Sequence, residues 1–190
     1  MIVNTTIGKV YMLMSSENKV FNLKNKEKTA CLTGHRPNKL PWGYDEEDKI
    51  CIKFKENLED SLEKAIKYGL RYFLTGMAEG FDMIATEILI KLRKKYPIKI
   101  IAVIPCIGQE KVWNDEQQKR YRIILKKCDE KIILNKSYTS TCMNERNKFM
   151  VEHSSMVIAC YNGLYGGTRN TINMAKRCGC EIKIINPYIN

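Results

Sequence analysis

Leu74-Thr75-Gly76-Met77-Ala78-Glu79-Gly80-Phe81-Asp82-Met83-Ile84-Ala85-Thr86-Glu87 is the stretch whose reading decides the fold of this chain. The residues that lead into it, Arg71-Tyr72-Phe73-Leu74, read as a short buried strand. Beyond the glycines, Phe81, Ile84, Ala85, Ile88, Leu89 and Leu92 recur at the i, i+3, i+4, i+7 spacing of a helix with one apolar face. A strand that turns through glycine into a helix leaves N–H groups unpaired at the helix start. Those donors, together with the helix dipole, favour an anion, most often a phosphate. Gly76 and Gly80 equally suit a tight turn that needs their backbone freedom, and a lone glycine pair leaves both readings open.

Outward from this centre the pattern repeats. Upstream, Thr29 to Thr33 is a short strand that runs into Gly34-His35-Arg36-Pro37, followed by an irregular loop with Pro41 and Gly43. Asp45 to Tyr68 is expected as a long amphipathic helix with Ile50, Phe54, Leu58, Leu62, Ala65 and Ile66 on one face and Gly69 as its stop. Downstream, Ile98 to Ile104 is a nearly continuous apolar run ended by Pro105, which suits a strand covered on both faces. A charged helix (Asn114 to Cys128), a strand (Lys131 to Leu134), a helix (Met143 to His153), a strand (Met156 to Tyr161), a helix (about Arg169 to Arg177) and a last strand (Glu181 to Ile185) complete the order. Strands that alternate with helices predict an α/β fold: a mostly parallel sheet with helices on both faces. Residues 28–190 form this domain; residues 1–27 precede it, with strand-like Val10 to Met14 and then polar Ser15 to Lys26. That extension is compatible with an extra strand or hairpin, an arm for a partner chain, or a loosely held segment.

With 190 residues, 44% hydrophobic and 28% charged, the composition is that of one ordinary globular domain. No apolar run approaches the roughly 20 residues of a membrane-spanning helix, and Met1 to Lys28 lacks the features of a secretion signal. The expectation is a cytoplasmic protein with no membrane partner. Eight cysteines are too many for their role to be ignored, but Cys31, Cys106 and Cys160 lie in or beside apparent core strands, where cysteine acts as a small hydrophobe. Cys178 and Cys180 form a close pair without a second pair, and His35 and His153 are the only histidines, so no metal site is expected. The formal charge of +11 admits nucleic acid, a nucleotide or an acidic partner. Its basic residues are dispersed over helix faces such as Lys91 to Lys95 and Lys119 to Lys127, which places nucleic acid behind a small molecule.

In open α/β sheets ligands bind beyond the carboxyl ends of the strands, and the unusual residues of this chain collect at those junctions. The first carries Thr33, Gly34, His35 and Arg36; the second Gly76, Met77, Ala78, Glu79, Gly80 and Asp82; the third Pro105, Gln109 and Trp113. The last carries Tyr161 and then Gly166, Gly167 and Thr168, a second glycine turn before a helix. Opposite junctions such as Lys94 to Pro97 are plain. Arg36 is suited to clamping phosphate or carboxylate, and Thr168 to capping its helix while donating to a phosphate. Asp82 is suited to ribose hydroxyls or to the helix dipole, and Trp113 or Tyr161 to a base or to packing. His35 serves equally as a base, a stacking group or a turn cap.

Taken together, these motifs resemble the SLOG superfamily, a Rossmann-like group named for DNA-uptake DprA/Smf proteins and cytokinin-activating LOG enzymes, and within it the YpsA-like branch. The resemblance rests on Thr33 to Pro37, Thr75 to Asp82, Pro105 with Gln109 and Trp113, Arg146-Asn147 with Phe149, and Tyr161 through Thr168, over about Lys28 to Pro187. It implies a single Rossmann-like domain that binds ADP-ribose-type, NAD-related, nucleoside monophosphate or cyclic-nucleotide ligands or, in the DprA branch, single-stranded DNA. It also adds Arg146 and Asn147 to the expected ligand-binding set. LOG enzymes place a glutamate three residues after the threonine of the second glycine motif, where this chain has Thr171. Hydrolysis of a nucleotide N-glycosidic bond therefore requires a substitute acid, for which Glu79, Asp82 and Glu87 are the candidates.

The expected function is thus binding of a nucleotide-derived small molecule, for sensing or sequestration, by a chain that is compatible with a homo-oligomer. No further cofactor is implied. The alternatives are LOG-like hydrolysis and DprA-like binding of single-stranded DNA.

Overall fold

The computed structural model describes residues 2–5, 8–12 and 25–188, the first two segments as backbone only. Among the described residues eight strands form one sheet: β1 (Ile2–Thr5), β2 (Gly8–Met12), β3 (Thr29–Gly34), β4 (Tyr72–Thr75), β5 (Lys99–Cys106), β6 (Glu130–Asn135), β7 (Met156–Cys160) and β8 (Glu181–Ile185). Their order is β1-β2-β6-β5-β4-β3-β7-β8. Only β1 runs antiparallel, against β2; the remaining neighbours pair in parallel. Of the strand-like run to Met14 and the polar stretch after it, residues 13–24 lie outside the described residues.

Five helices follow in chain order: α1 (Lys49–Lys67), α2 (Phe81–Leu92), α3 (Asp115–Lys127), α4 (Cys142–Glu152) and α5 (Gly167–Arg177). The strands alternate side chains between two cores, as the period of two dictates. Ala30, Leu32, Phe73, Ile100, Ala102, Ile104, Met156 and Ile158 pack with α1, α2 and α3. Cys31, Leu74, Ile101, Val103, Val157 and Ala159 pack with α4 and α5. A sheet covered on both faces by helices is the Rossmann-like α/β arrangement expected from the sequence. Among the described residues no helix is long and apolar enough to cross a membrane.

Helix α2 is the central bracket. Phe81, Met83, Ile84, Ala85, Ile88, Leu89 and Leu92 are all buried, and full burial of each large apolar side chain is worth about 1.5–3 kcal/mol. The Thr86 hydroxyl donates to the Asp82 carbonyl at 2.6 Å and its oxygen lies 3.0 Å from the Thr75 hydroxyl, tying the end of β4 to the second turn of α2.

Two expectations need correction. Helix α1 begins at Lys49 rather than Asp45, because Asp48 caps it by accepting the Ile50 N–H at 2.7 Å while Asp45 closes a preceding turn. Its buried face uses Cys51 rather than Ile50, which is 40% exposed. Strand β5 also continues through Pro105 to Cys106: Ile104 and Cys106 pair with Ile133 and Asn135, and the Pro105 carbonyl takes the Asn135 side-chain amide at 3.0 Å. Proline brings no N–H to the ladder, but its carbonyl is satisfied by that side-chain donation.

From β3 the chain builds β4, β5 and β6 towards one edge, then crosses back to lay β7 and β8 on the other side of β3. The order of strands therefore switches between β3 and β7, and a crevice opens beyond their carboxyl ends.

Candidate functional site

A cavity of about 310 Å³ occupies that crevice. It is lined by Leu32 to Arg36 with Asn38 and Lys39 after β3, by Ala78 and Asp82 after β4, by Met143, Arg146 and Asn147 of α4, and by Gly166 to Thr168 at the start of α5. Arg36, Lys39 and Arg146 are the cations of this lining and Asp82 its one carboxylate.

The two glycine turns behave differently. At the start of α5, Gly166 precedes the first helical residue, and the first backbone N–H to find a carbonyl is that of Asn170, which donates to Gly166 at 3.1 Å. No acceptor among the described residues faces the N–H groups of Gly167, Thr168 and Arg169. A Cβ built on Gly167 would meet nothing within 4 Å. The packing of the protein therefore does not require glycine at this position. The Lys39 ammonium stands 3.0 Å from where a Cβ of Gly166 would sit and donates to the Tyr165 carbonyl at 2.9 Å. Thr168 occupies the second helical position and does not cap the helix as expected; Thr171 braces the turn instead, its hydroxyl donating to the Gly167 carbonyl at 2.9 Å.

The turn from Gly76 to Gly80 is already filled. The Met77 N–H goes to the Thr75 hydroxyl at 3.2 Å, that of Ala78 to Asp82 Oδ2 at 3.3 Å, and that of Phe81 to the His35 carbonyl at 3.2 Å. Arg146, arriving from α4, donates through Nη1 to the Gly76 carbonyl at 2.5 Å, so a Cβ on Gly76 would lie only 1.7 Å from that nitrogen. Gly80, at φ +82°, backs onto the His35 carbonyl and Pro37, and Met77 is wholly buried. The carboxylate of Asp82 thus takes the place beside this turn that sequence reasoning assigned to a ligand phosphate. Gln109 supports the turn from below, its side-chain amide 3.3 Å from the Gly76 and Met77 carbonyls. Gly34 is likewise required by packing, since a Cβ there would lie 2.4 Å from the Phe81 ring.

Asp82 and Arg146 are each 5% exposed and share the cavity floor. Burial raises the Asp82 carboxyl above the usual aspartate range, against the lowering effect of Arg146, and burial lowers Arg146. Arg146 Nε is held by Asn147 Oδ1 at 2.7 Å, which leaves its Nη2 with no acceptor among the described residues. His35 is 4% exposed, and burial lowers its pKa. Its Nε2 lies 2.7 Å from Asn162 Oδ1, an oxygen that also accepts the Leu164 N–H at 3.2 Å, and 3.3 Å from the Asn162 backbone N–H. This bond ties the β3 loop to the β7 loop across the switch point.

Other expected residues do not line the cavity. Trp113 packs edge-on against Tyr121 with ring centres 5.4 Å apart, and the Arg36 guanidinium covers its ring at 5.8 Å. Tyr161 leans on His35 at 5.8 Å, and Pro105 is buried in β5. Glu79 faces outward to Arg36 at 3.8 Å and to the Tyr44 hydroxyl at 3.4 Å. Glu87 lies on a separate surface, bound to Arg120 beside Glu46, and so is withdrawn as a candidate acid for this cavity. Lys39, Asn38, Leu32 and Met143 complete the lining and were missed by sequence reasoning. The signal for the first two was their place in the loop that already carries Arg36.

Comparison with known proteins agrees with this architecture. A family model described as the YspA SLOG family (YpsA) matches residues 30–187. The uncharacterized SPbeta prophage-derived protein YoqJ of Bacillus subtilis is 34% identical over 155 residues, covering 73% of this chain and 91% of that protein. The UPF0398 protein YpsA of the same organism is 25% identical over 138 residues, 71% of this chain and 76% of that one. Among solved structures, DNA processing protein A (DprA) of Streptococcus pneumoniae superposes with a TM-score of 0.56 at 16% identity, over 84% of this chain. This chain spans about half of that protein, 51% of its length. DprA of Helicobacter pylori, described for its single-stranded DNA binding mode, superposes with a TM-score of 0.54 at 16% identity, over 86% of this chain and 68% of that one. With its sequence motifs, its sheet and the family match all in register, the chain belongs to the YspA SLOG family.

Proposed function

We propose that the chain binds a phosphate-bearing, nucleotide-derived small molecule in the cavity between β3 and β7, as a sensor or sequestering protein. The observation that carries this reading is the start of α5: three unpaired N–H groups below open space, at the positive end of a helix dipole, with Lys39 beside them. Arg36 and Arg146 add positive charge in the same lining, so the cavity favours an anion. Thermal unfolding of the full chain with and without a panel of nucleotides and sugar phosphates tests it. A ligand at about 100 times its Kd raises stability by about 2.7 kcal/mol. Stabilisation by phosphate-bearing compounds, absent with the matching nucleosides, is the expected result; no stabilisation by any phosphate compound refutes it.

Cleavage of an N-glycosidic bond in this cavity falls to Asp82, the one carboxylate of the lining, which already accepts the Ala78 N–H. Chromatography of nucleoside monophosphates or NAD after incubation separates a hydrolase from a binder.

A second reading, single-stranded nucleic acid, is favoured by the surface beside the cavity. Tyr165 is 80% exposed with the Arg169 guanidinium 3.9 Å over its ring, Lys39 adjoins it, and the chain carries a net charge of +11. The fold likeness to H. pylori DprA, described for binding single-stranded DNA, points the same way. Oligonucleotide affinity that falls steeply with salt is the signature of this reading.

A further inference from the structure

Resting on the reading of the cavity as a phosphate-ligand site, we infer that what it encloses is a phosphorylated sugar, with any base left outside and contributing little to affinity. Three independent features of the lining lead there.

The first is the number of anion seats. The α5 amides and Lys39 form one, whereas the α2 turn holds Asp82 and the Arg146 guanidinium in the position of a second. One open seat suits a single phosphate monoester, because a diphosphate would set its second group against the Asp82 carboxylate.

The second is the polar floor. Asp82 supplies a buried acceptor, and Arg146, Asn38 and Asn147 supply donors, all lining one small space. Arg146 is only 5% exposed, and its Nη2 has no acceptor among the described residues and is not sealed from solvent, so it is free to donate into the cavity. Adjacent hydroxyl groups, each both donor and acceptor, satisfy a carboxylate and a guanidinium side by side.

The third is the lack of a slot for a base. The lining holds no aromatic ring except the His35 imidazole, which is tied to Asn162 at 2.7 Å. Trp113 is occupied by Arg36 and Tyr121, and Tyr161 packs behind His35. At about 310 Å³ the cavity is also at the small end of ligand sites, which run to about 1,000 Å³.

Titration calorimetry of the full chain with ribose 5-phosphate, ribose, inorganic phosphate and adenosine 5′-monophosphate tests this. Ribose 5-phosphate is expected to bind within about threefold of the nucleotide and at least about tenfold tighter than inorganic phosphate, a ratio equal to about 1.4 kcal/mol, with no signal from ribose. Asp82→Asn should weaken ribose 5-phosphate without weakening inorganic phosphate. A nucleotide preferred by tenfold or more over ribose 5-phosphate overturns the inference and leaves the phosphate-site reading standing. Equal affinity for inorganic phosphate and ribose 5-phosphate also overturns it, by removing any role for the sugar. Absence of binding by every phosphate compound overturns both.

Discussion

Replacing Gly167 with alanine separates a glycine kept for folding from one kept for a ligand. The site of the new methyl group meets no atom within 4 Å, and the backbone there is not in the left-handed region, so the folded protein accommodates it. Gly167 is the first residue of α5. Alanine at a compatible helical position stabilises by about 0.4–1 kcal/mol, through helix propensity and a less flexible unfolded chain. For a chain of this size about 1 kcal/mol corresponds to about 2–4 °C in Tm. Gly167→Ala should therefore unfold at the same temperature as the parent or up to a few degrees higher. In the proposed reading the same methyl takes space that a phosphate on the Gly167, Thr168 and Arg169 amides would need. Charge-assisted hydrogen bonds are worth about 1.5–3 kcal/mol each, so loss of even one weakens a phosphate ligand by about tenfold or more. Calorimetric titration alongside thermal unfolding gives both numbers. A variant that binds as tightly as the parent refutes the placement of the anion; a variant destabilised by more than about 1 kcal/mol refutes the claim that the space is open.

Gly76→Ala should behave in the opposite way. Its methyl would lie 1.7 Å from Arg146 Nη1 and 2.9 Å from Asp82 Oδ2, so the guanidinium must leave the Gly76 carbonyl. A loss of about 1–3 kcal/mol in urea unfolding is expected, as for overpacked interiors, and an unchanged midpoint would contradict this geometry. Burial lowers the pKa of His35, so the unfolded chain takes up its proton first as pH falls. Its contribution to stability is therefore complete above the unfolded value of about 6.5 and is lost as pH drops below it. Urea unfolding from pH 8 to 5 should show this slope in the parent and a shallower one in His35→Gln; identical slopes would refute it. Thr86→Val removes the bonds to the Asp82 carbonyl and the Thr75 hydroxyl. It should cost about 0.5–1.5 kcal/mol per bond lost in chemical denaturation, and a neutral result would show that neither bond stabilises the fold.

Much of the architecture was legible because it is local. The continuous apolar runs of Ile100 to Ile104 and Met156 to Cys160 and the period-3.6 face of α2 are properties of neighbouring residues, and along each such strand successive side chains enter opposite cores. The gathering of Thr33 to Arg36, Ala78, Asp82 and Gly166 to Thr168 followed from their places at the carboxyl ends of strands. What escaped were decisions made by residues distant in sequence. Gly76 looks like a phosphate-binding glycine until Arg146, 70 positions later, is seen against its carbonyl. Trp113 looks like a base-stacking ring until Arg36 and Tyr121 are placed around it. Ile50 and Cys51 straddle the boundary of the α1 face, and the folded chain buries Cys51 while Ile50 stays 40% exposed.

The central claim is that, of two similar glycine turns, the one that opens α5 receives the anion while the one before α2 is closed by the protein's own Asp82 and Arg146. Backbone amide NMR during titration with ribose 5-phosphate addresses this directly. The largest shifts are predicted at Gly167, Thr168 and Arg169, with the Met77 and Ala78 amides little changed. Largest shifts at Gly76 to Gly80, with Gly167 to Arg169 unmoved, would contradict it.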